Sequence, residues 1–210
     1  MARLYAPFVP TPEAVTHAML SAAGCGTADT VVDLGCGDAR LLLSALSPPY
    51  SCKAAVGVDL DEALLAQARA TADGLGLSPR LKLVHAELLD YVSSAGVLPV
   101  QSTADEAEEQ EKEEQEKVAD NGIDTAAGTI RTALDPLSEA TIISCFLSPQ
   151  AMEDLRPCLA LPRPGCRLVA LDFPVPGVHP NGCKSLMGMD IYMYDLGEGL
   201  VYDDQQTPQS

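Results

Sequence analysis

Residues 31–40, VVDLGCGDAR, pass from an apolar run through a glycine-flanked turn to a charged segment, and this change decides the fold. The run VVDL is apolar except for one acid, which is typical of a buried strand in a parallel sheet. Gly35 and Gly37 carry no Cβ and adopt φ > 0 readily, so a ligand can approach the main chain there. In open α/β sheets, ligands bind beyond the carboxyl ends of the strands. The segment therefore predicts a ligand site at this turn.

Short apolar runs alternate with helical patterns on both sides of the turn, as in parallel βαβ units. Helical patterns cover residues 10–24, 61–76 and 148–159; in the second of these, Asp61 can cap the start and Gly74 or Gly76 the end. The predicted strands are residues 31–35, 54–59, 81–85, 140–146 and 166–173.

The alternation of strands and helices stops after the fifth predicted strand. Prolines and glycines in residues 173–188 replace the expected crossover helix, and β-rich runs flank GEG at 197–199, which predicts an antiparallel hairpin. The chain is therefore predicted to have an α/β, Rossmann-like fold: an open, mostly parallel sheet with helices on both faces and an antiparallel edge hairpin.

Length, charge and cysteine pattern restrict the class of protein. A chain of 210 residues suits one domain, with residues 1–28 as an N-terminal helical cap and 204–210 as a flexible tail. The net charge of -17 argues against a nucleic-acid partner. Seven scattered cysteines without a CxxC pair predict reduced thiols and no metal site. No apolar run is long enough for a transmembrane segment, and a cytoplasmic location is expected.

One acidic segment differs from the rest of the chain. Residues 105–120 hold nine acids against two lysines and have little apolar surface to bury. We expect residues 93–122 to form a low-complexity, disordered or solvated insertion; a contact surface for a basic protein is the alternative.

Acids follow the first three predicted strands. Asp59 comes about 20 residues after the glycine turn, where a carboxylate can accept hydrogen bonds from a ribose diol. Asp33 and Glu87 close or follow neighbouring runs, so all three acids are expected at one sheet edge. Alone, each could be only a turn or a helix cap; together they favour a nucleoside. Arg40 stands where a dinucleotide fingerprint needs a small residue, which disfavours NAD.

These motifs resemble those of class I S-adenosylmethionine-dependent methyltransferases. VVDLGCGDAR resembles their first motif, and GVDLDEALLAQARA at 57–70 resembles their acidic second motif and its helix. FVPTPEAVTHAML at 8–20, LSEATIISCFLSPQAMEDLRPCL at 137–159 and PRPGCRLVALDF at 162–173 resemble protein-lysine methyltransferases related to the mitochondrial ATP-synthase c-subunit enzyme. The resemblance spans most of residues 5–173 outside the insertion, and it makes a mitochondrial location the alternative to the cytoplasm.

The resemblance implies S-adenosyl-L-methionine as the cofactor. Asp33, Gly35 and Gly37 would hold its methionine part, Asp59 the ribose and Glu87 the adenine edge. Ala39 stands where the family usually has glycine, and Glu87 where it usually has aspartate. The full set of implied cofactor-binding residues is Thr11, Asp33, Gly35, Gly37, Asp59, Leu60, Glu87 and Leu88.

The methyl acceptor is less constrained. The segment SCFLSP at 144–149 lacks the NPPY-type motif used for adenine or glutamine nitrogens, and Ser144 and Phe146 are the candidates to line the acceptor channel. His179 is the histidine expected nearest the site, whereas His17 and His85 are expected on surfaces or in packing. The resemblance implies a protein lysine as the acceptor, and an acidic enzyme suits a basic protein or peptide partner. A small-molecule acceptor, a noncatalytic binding protein and a nicotinamide oxidoreductase are the alternatives.

Overall fold

The computed structural model describes residues 8–93, 137–159 and 163–197. The strands within these ranges are β1 (Thr30–Leu34), β2 (Ala54–Asp59), β3 (Leu81–His85), β4 (Ile142–Cys145), β5 (Arg167–Leu171), β6 (Gly182–Leu186) and β7 (Met189–Asp195). The α-helices are α1 (Glu13–Ala22), α2 (Arg40–Leu46), α3 (Glu62–Leu75), α4 (Leu88–Ser93) and α5 (Pro149–Leu159). The predicted acidic insertion beyond residue 93 and the predicted tail at 204–210 lie outside the described residues.

The strands form one seven-stranded sheet in the order β3-β2-β1-β4-β5-β7-β6. Strands β1 to β5 pair in parallel, and β7 pairs antiparallel with both β5 and β6. The chain runs outward from β1 to β2 and β3, then returns to the other side of β1 with β4. Strand order therefore reverses between β1 and β4, which is where such sheets bind ligands. The predicted Rossmann-like fold is confirmed.

Both faces of the sheet are covered by helices, as predicted. Val31 packs in a cluster with residues of α1, α2 and α3, whereas Val32 and Leu34 pack in a second cluster with residues of α4 and α5. Successive side chains of a strand point to opposite faces, so β1 contributes to both cores. Helix α3 is capped as predicted: Asp61 accepts hydrogen bonds from two backbone N–H groups at its start, and Gly76 with φ +69° ends it.

The edge hairpin forms earlier in the chain than the sequence predicted. Its turn is Met187–Gly188, both with positive φ, as two-residue hairpin turns require. The turn predicted at GEG, 197–199, extends past residue 197 and so lies outside the described residues. Strand β6 escaped prediction because it is an edge strand, whose exposed Cys183, Lys184 and Ser185 lack an apolar alternation. No helix interrupts 172–181, so the predicted loss of the crossover helix is confirmed.

A polar cluster ties the sheet to α1 at the amino ends of the strands. Arg167 at the start of β5 donates to Asp29 and to the carbonyl oxygen of Ala23, just after α1. Thr141 also donates to Asp29, at 2.7 Å. This cluster lies at the opposite end of the sheet from the strand switch that can hold a ligand.

Candidate active site

A cavity of about 840 Å³ opens at the carboxyl ends of the parallel strands. It lies at the strand switch, where the glycine turn predicted a ligand site. Each of the five parallel strands contributes to its wall, through Asp33 in β1 and Gly35 directly after it, Asp59 in β2, His85 in β3, Cys145 in β4 and Asp172 after β5.

The two glycines of the turn have different roles. Gly35 has φ +81° and lines the cavity, and a Cβ added there would lie 2.8 Å from Cδ2 of Leu147. Gly37 has φ +54°, and a Cβ added there would overlap Cε2 of Phe8, which covers it. Gly37 is absent from the cavity wall. Only Gly35 is therefore placed to meet a ligand directly.

Asp59 is held rigidly by the turn. One carboxylate oxygen accepts a hydrogen bond from the N–H of Gly37 at 2.7 Å, and the other accepts from the N–H of Asp61 at 2.9 Å. Gly37 thus acts by orienting Asp59. Each carboxylate oxygen retains a second lone pair, which leaves capacity for the hydroxyl groups of a ribose.

Asp33 is the buried acid of the site, with 7% of its surface exposed. Burial raises the pKa of this carboxyl from about 3.8 to about 7; the hydrogen bond that Ser144 donates opposes the shift, and the nearby charges of Asp59 and Asp38 add to it. A cation beside Asp33 would favour its charged form.

Glu87 presents an unsatisfied oxygen. Its Oε2 accepts from the N–H of Asp90 at 3.2 Å, whereas its Oε1 is buried and has no hydrogen-bond partner among the described residues. An unpaired buried acceptor is costly and calls for a donor. Leu60 and Leu88 form apolar wall beside it. This combination fits the amino-bearing edge of a flat heterocycle.

Arg40 holds the N-terminal segment beside the glycine turn through hydrogen bonds. Its guanidinium donates to the carbonyl oxygen of Thr11 at 3.0 Å and to Asp38. Thr11, Phe8 and Val9 line the cavity from this side. The sequence indicated only that Arg40 disfavours a dinucleotide; its contact with a residue 29 positions away had no local signal.

Ser144 and Phe146 occupy different places. Phe146 lines the cavity, as expected of an acceptor-side residue. Ser144 is 2% exposed and donates its hydroxyl hydrogen to Asp33, so it cannot line an acceptor channel and instead supports Asp33. Asp172 and Phe173, which follow β5, also line the cavity and were missed. The available signal was their position directly after an apolar run.

The histidine nearest the site is His85, not His179. His85 lines the cavity, with Nε2 at 3.0 Å from the carbonyl oxygen of Leu60. His179 is exposed and absent from the cavity wall. His17 stacks on Tyr50, as expected of satisfied packing.

The cavity wall is strongly acidic. Among the described residues that form the wall, Arg40 is the only lysine or arginine, and it is paired with Asp38. The same residues include seven carboxyl groups, those of Asp33, Asp38, Asp59, Asp61, Glu62, Glu87 and Asp172. Such a cavity suits a cationic ligand and opposes a polyphosphate.

The described residues lack two other features. Residues 8–93, 137–159 and 163–197 contain no group of three or more side chains that could hold a metal ion. No helix in these ranges is long and apolar enough to cross a bilayer.

Two known proteins are similar to this chain over most of its length. No family model matches the chain. A protein-lysine N-methyltransferase of Saccharolobus islandicus (strain REY15A) is 27% identical over 199 residues, which cover 92% of this chain and 96% of that protein.

A crystal structure of an RNA methyltransferase from Salinibacter ruber in complex with S-adenosyl-L-homocysteine has the same fold. It superimposes with a TM-score of 0.67 at 24% identity, covering 93% of this chain and 98% of that one. Because an RNA methyltransferase has this fold, the exclusion of a nucleic-acid partner drawn from net charge is not supported.

The residues of the cavity fit S-adenosylmethionine. The unpaired oxygen of Glu87, the fixed carboxylate of Asp59 and the bare main chain at Gly35 offer acceptors and space for a nucleoside, and the acidic wall suits a sulfonium cation. In sheet order, cavity and sequence, the chain is similar to class I S-adenosylmethionine-dependent methyltransferases.

Proposed function

We propose that the enzyme transfers a methyl group from S-adenosylmethionine to the side-chain amine of a protein lysine. The observation that carries this proposal is the similarity, over 92% of the chain, to a protein-lysine N-methyltransferase. The cavity supports it, because an acidic wall favours a basic acceptor over an anionic one.

The cofactor half of the cavity is formed after β1, β2 and β3. We assign Asp33 and Gly35 to the methionine part of the cofactor, Asp59 to the ribose and Glu87 to the adenine edge. Thr11, Leu60 and Leu88 supply walls, and Gly37 acts through Asp59.

When bound, S-adenosylmethionine supplies a methyl group on a positively charged sulfur, which an amine lone pair can attack in line. The chain's contribution is to align the two groups and to exclude water. Phe8, Phe146 and Leu147 form apolar wall suited to both tasks. The amine must be neutral to react, so its proton must leave before transfer.

The net charge of -17 gives a second reason to expect a basic acceptor. Opposite charges raise the rate of encounter between an enzyme and its substrate at low ionic strength. We expect methylation to slow as salt is added. The cytoplasmic location stays a prediction, which microscopy of the tagged full chain would test.

The test uses the full chain with methyl-labelled S-adenosylmethionine and three acceptor pools: cellular protein, total RNA and metabolites. Mass spectrometry of the protein digest should find labelled Nε-methyl-lysine. The matched control is Gly35→Val, which fills the turn with a side chain at φ +81° and should abolish labelling. Label in RNA or metabolites would refute the lysine acceptor. Cofactor binding without transfer to any pool would favour the noncatalytic alternative.

A further inference from the structure

We propose that Asp172 is the residue that receives the acceptor amine, through a carboxylate held at the acceptor end of the cavity. This inference rests on the proposed function. It assigns a role to a residue that the sequence motifs passed over.

Asp172 lies on the correct side of the cavity. The acids assigned to the cofactor lie in β1, at the end of β2 and after β3, whereas Asp172 follows β5, which pairs with β4 on the other side of β1. Phe146, after β4, and Phe173, after β5, also line the cavity. The cofactor's reactive end is expected at the switch between these halves, so the acceptor must enter from the side of β4 and β5.

The backbone at Asp172 is held in an uncommon conformation. Its φ is +62°, in the left-handed region that a non-glycine residue adopts only at some cost. Two hydrogen bonds to Asp190 on β7 hold it there: the N–H of Asp172 donates to the carbonyl oxygen of Asp190 at 2.7 Å, and the N–H of Asp190 donates to Oδ1 of Asp172 at 3.0 Å. The edge hairpin thus fixes the orientation of this carboxylate.

The carboxylate keeps one oxygen for a ligand. Among the residues that the structure describes, Oδ2 of Asp172 has no hydrogen-bond partner, and no lysine or arginine forms an ion pair with Asp172. Two other acids of the wall differ: Asp38 is paired with Arg40, and Asp59 accepts two backbone hydrogen bonds. Glu87 also has an oxygen without a partner in the described part of the chain, but it follows β3 on the cofactor side.

Aromatic rings beside the carboxylate suit an alkylamine. Phe173 is 37% exposed and Phe146 is partly buried, and both line the cavity with Asp172. Rings of this kind contact the methylene stem of a lysine and attract a cation through their faces. The carboxylate would then accept an N–H from the amine.

A carboxylate beside the acceptor nitrogen is useful because positive charge develops on that nitrogen during methyl transfer. The nitrogen lone pair forms the new bond to carbon while the electrons of the carbon–sulfur bond pass to sulfur. Positive charge therefore moves from sulfur to nitrogen, and the methylated ammonium releases a proton to water. A fixed carboxylate beside the nitrogen stabilises the charge that develops there.

The test compares Asp172→Asn with Asp195→Asn. Asparagine keeps an oxygen for the N–H of Asp190 and tolerates positive φ, so the first variant should fold. Asp195 is exposed and lies at the other end of β7, opposite Arg167, so its variant controls for the same loss of charge.

Two measurements separate amine recognition from a structural role. Calorimetry should give the same affinity for S-adenosyl-L-homocysteine in wild type and both variants. With that product saturating, NMR titration should show Nα-acetyl-lysine methylamide binding about tenfold or more weakly to Asp172→Asn, the scale of a lost charged hydrogen bond. The uncharged Nα-acetyl-norleucine methylamide should bind all three proteins equally.

Methylation of a lysine peptide should fall with the same variant and not with Asp195→Asn. Equal lysine-amide binding and equal methylation by wild type and Asp172→Asn would overturn the role of Asp172 while leaving the proposed function intact. A wild type that methylates no lysine would overturn both.

Discussion

We predict that Asp33 makes both stability and cofactor binding depend on pH. The residue is 7% exposed, and the pKa of its carboxyl is raised to about 7, chiefly by burial. The perturbation is Asp33→Asn, which keeps an oxygen to accept the hydrogen bond from Ser144 but carries no titratable group. Comparing wild type with this variant cancels the contributions that other titratable groups make to both proteins.

The direction and size of the change in stability with pH follow from the different protonation of Asp33 in the folded and unfolded protein. Between about pH 4 and pH 7 the folded protein holds a proton on Asp33 that the unfolded chain has released, so wild-type stability falls as pH rises. A pKa moved from about 3.8 to about 7 corresponds to about 4 kcal/mol over the whole window. The ligand-free variant should gain up to about this amount over wild type by pH 8, and little at pH 4.

Urea denaturation of both proteins without ligand, at intervals from pH 4 to pH 8, measures this difference. A cationic cofactor beside the carboxylate reverses the penalty, so wild type should bind S-adenosylmethionine more tightly as pH rises through 7, and Asp33→Asn should not. Parallel stability curves for the two proteins would refute the assignment of a buried, proton-holding Asp33.

Three further predictions concern other parts of the molecule. Gly57→Ala should lower the free energy of unfolding in urea by about 1–3 kcal/mol, because the added Cβ would lie 2.6 Å from Sγ of Cys36. An unchanged urea midpoint would show that the glycine turn moves to make room for the methyl group. Asp59→Ala should weaken S-adenosylmethionine binding in calorimetry by about 1–3 kcal/mol, and unchanged affinity would contradict the ribose assignment. Arg167→Met should reduce stability by about 2 kcal/mol through its lost bond to Asp29, with cofactor affinity unaltered; a change in affinity would mean that the two ends of the sheet are coupled.

Much of the site could be predicted because parallel strands end at one edge. The predicted bounds of β2 and β3 match the structure, and β1 differs by one residue at each end. Once these strands are parallel neighbours, Asp33, Asp59 and Glu87 must lie at the same edge. Periodicity and a glycine turn are local signals, and they were sufficient for this half of the cavity.

The acceptor half depends on contacts between distant residues. Ser144 lies opposite Asp33 only because β1 pairs with β4, although the two residues are 111 positions apart in the sequence. Asp172 is held by Asp190 through a hairpin whose edge strand has no apolar alternation. No local pattern reports such pairings, because tertiary packing decides them.

The sequence contains a signal for the close packing around Gly57. A glycine within an apolar strand often marks a close approach of other groups, and here Cys36, Leu42 and Leu83 occupy the space that a Cβ would need. The glycine turn can pack against β2 for that reason.

The central claim is that the acidic cavity at the strand switch binds S-adenosylmethionine. Titration calorimetry of the full chain at pH 8 tests it most directly. Saturable one-to-one binding of S-adenosylmethionine, lost in Gly35→Val, is the predicted result. An absence of heat with S-adenosylmethionine, together with binding of a nicotinamide dinucleotide, would contradict it.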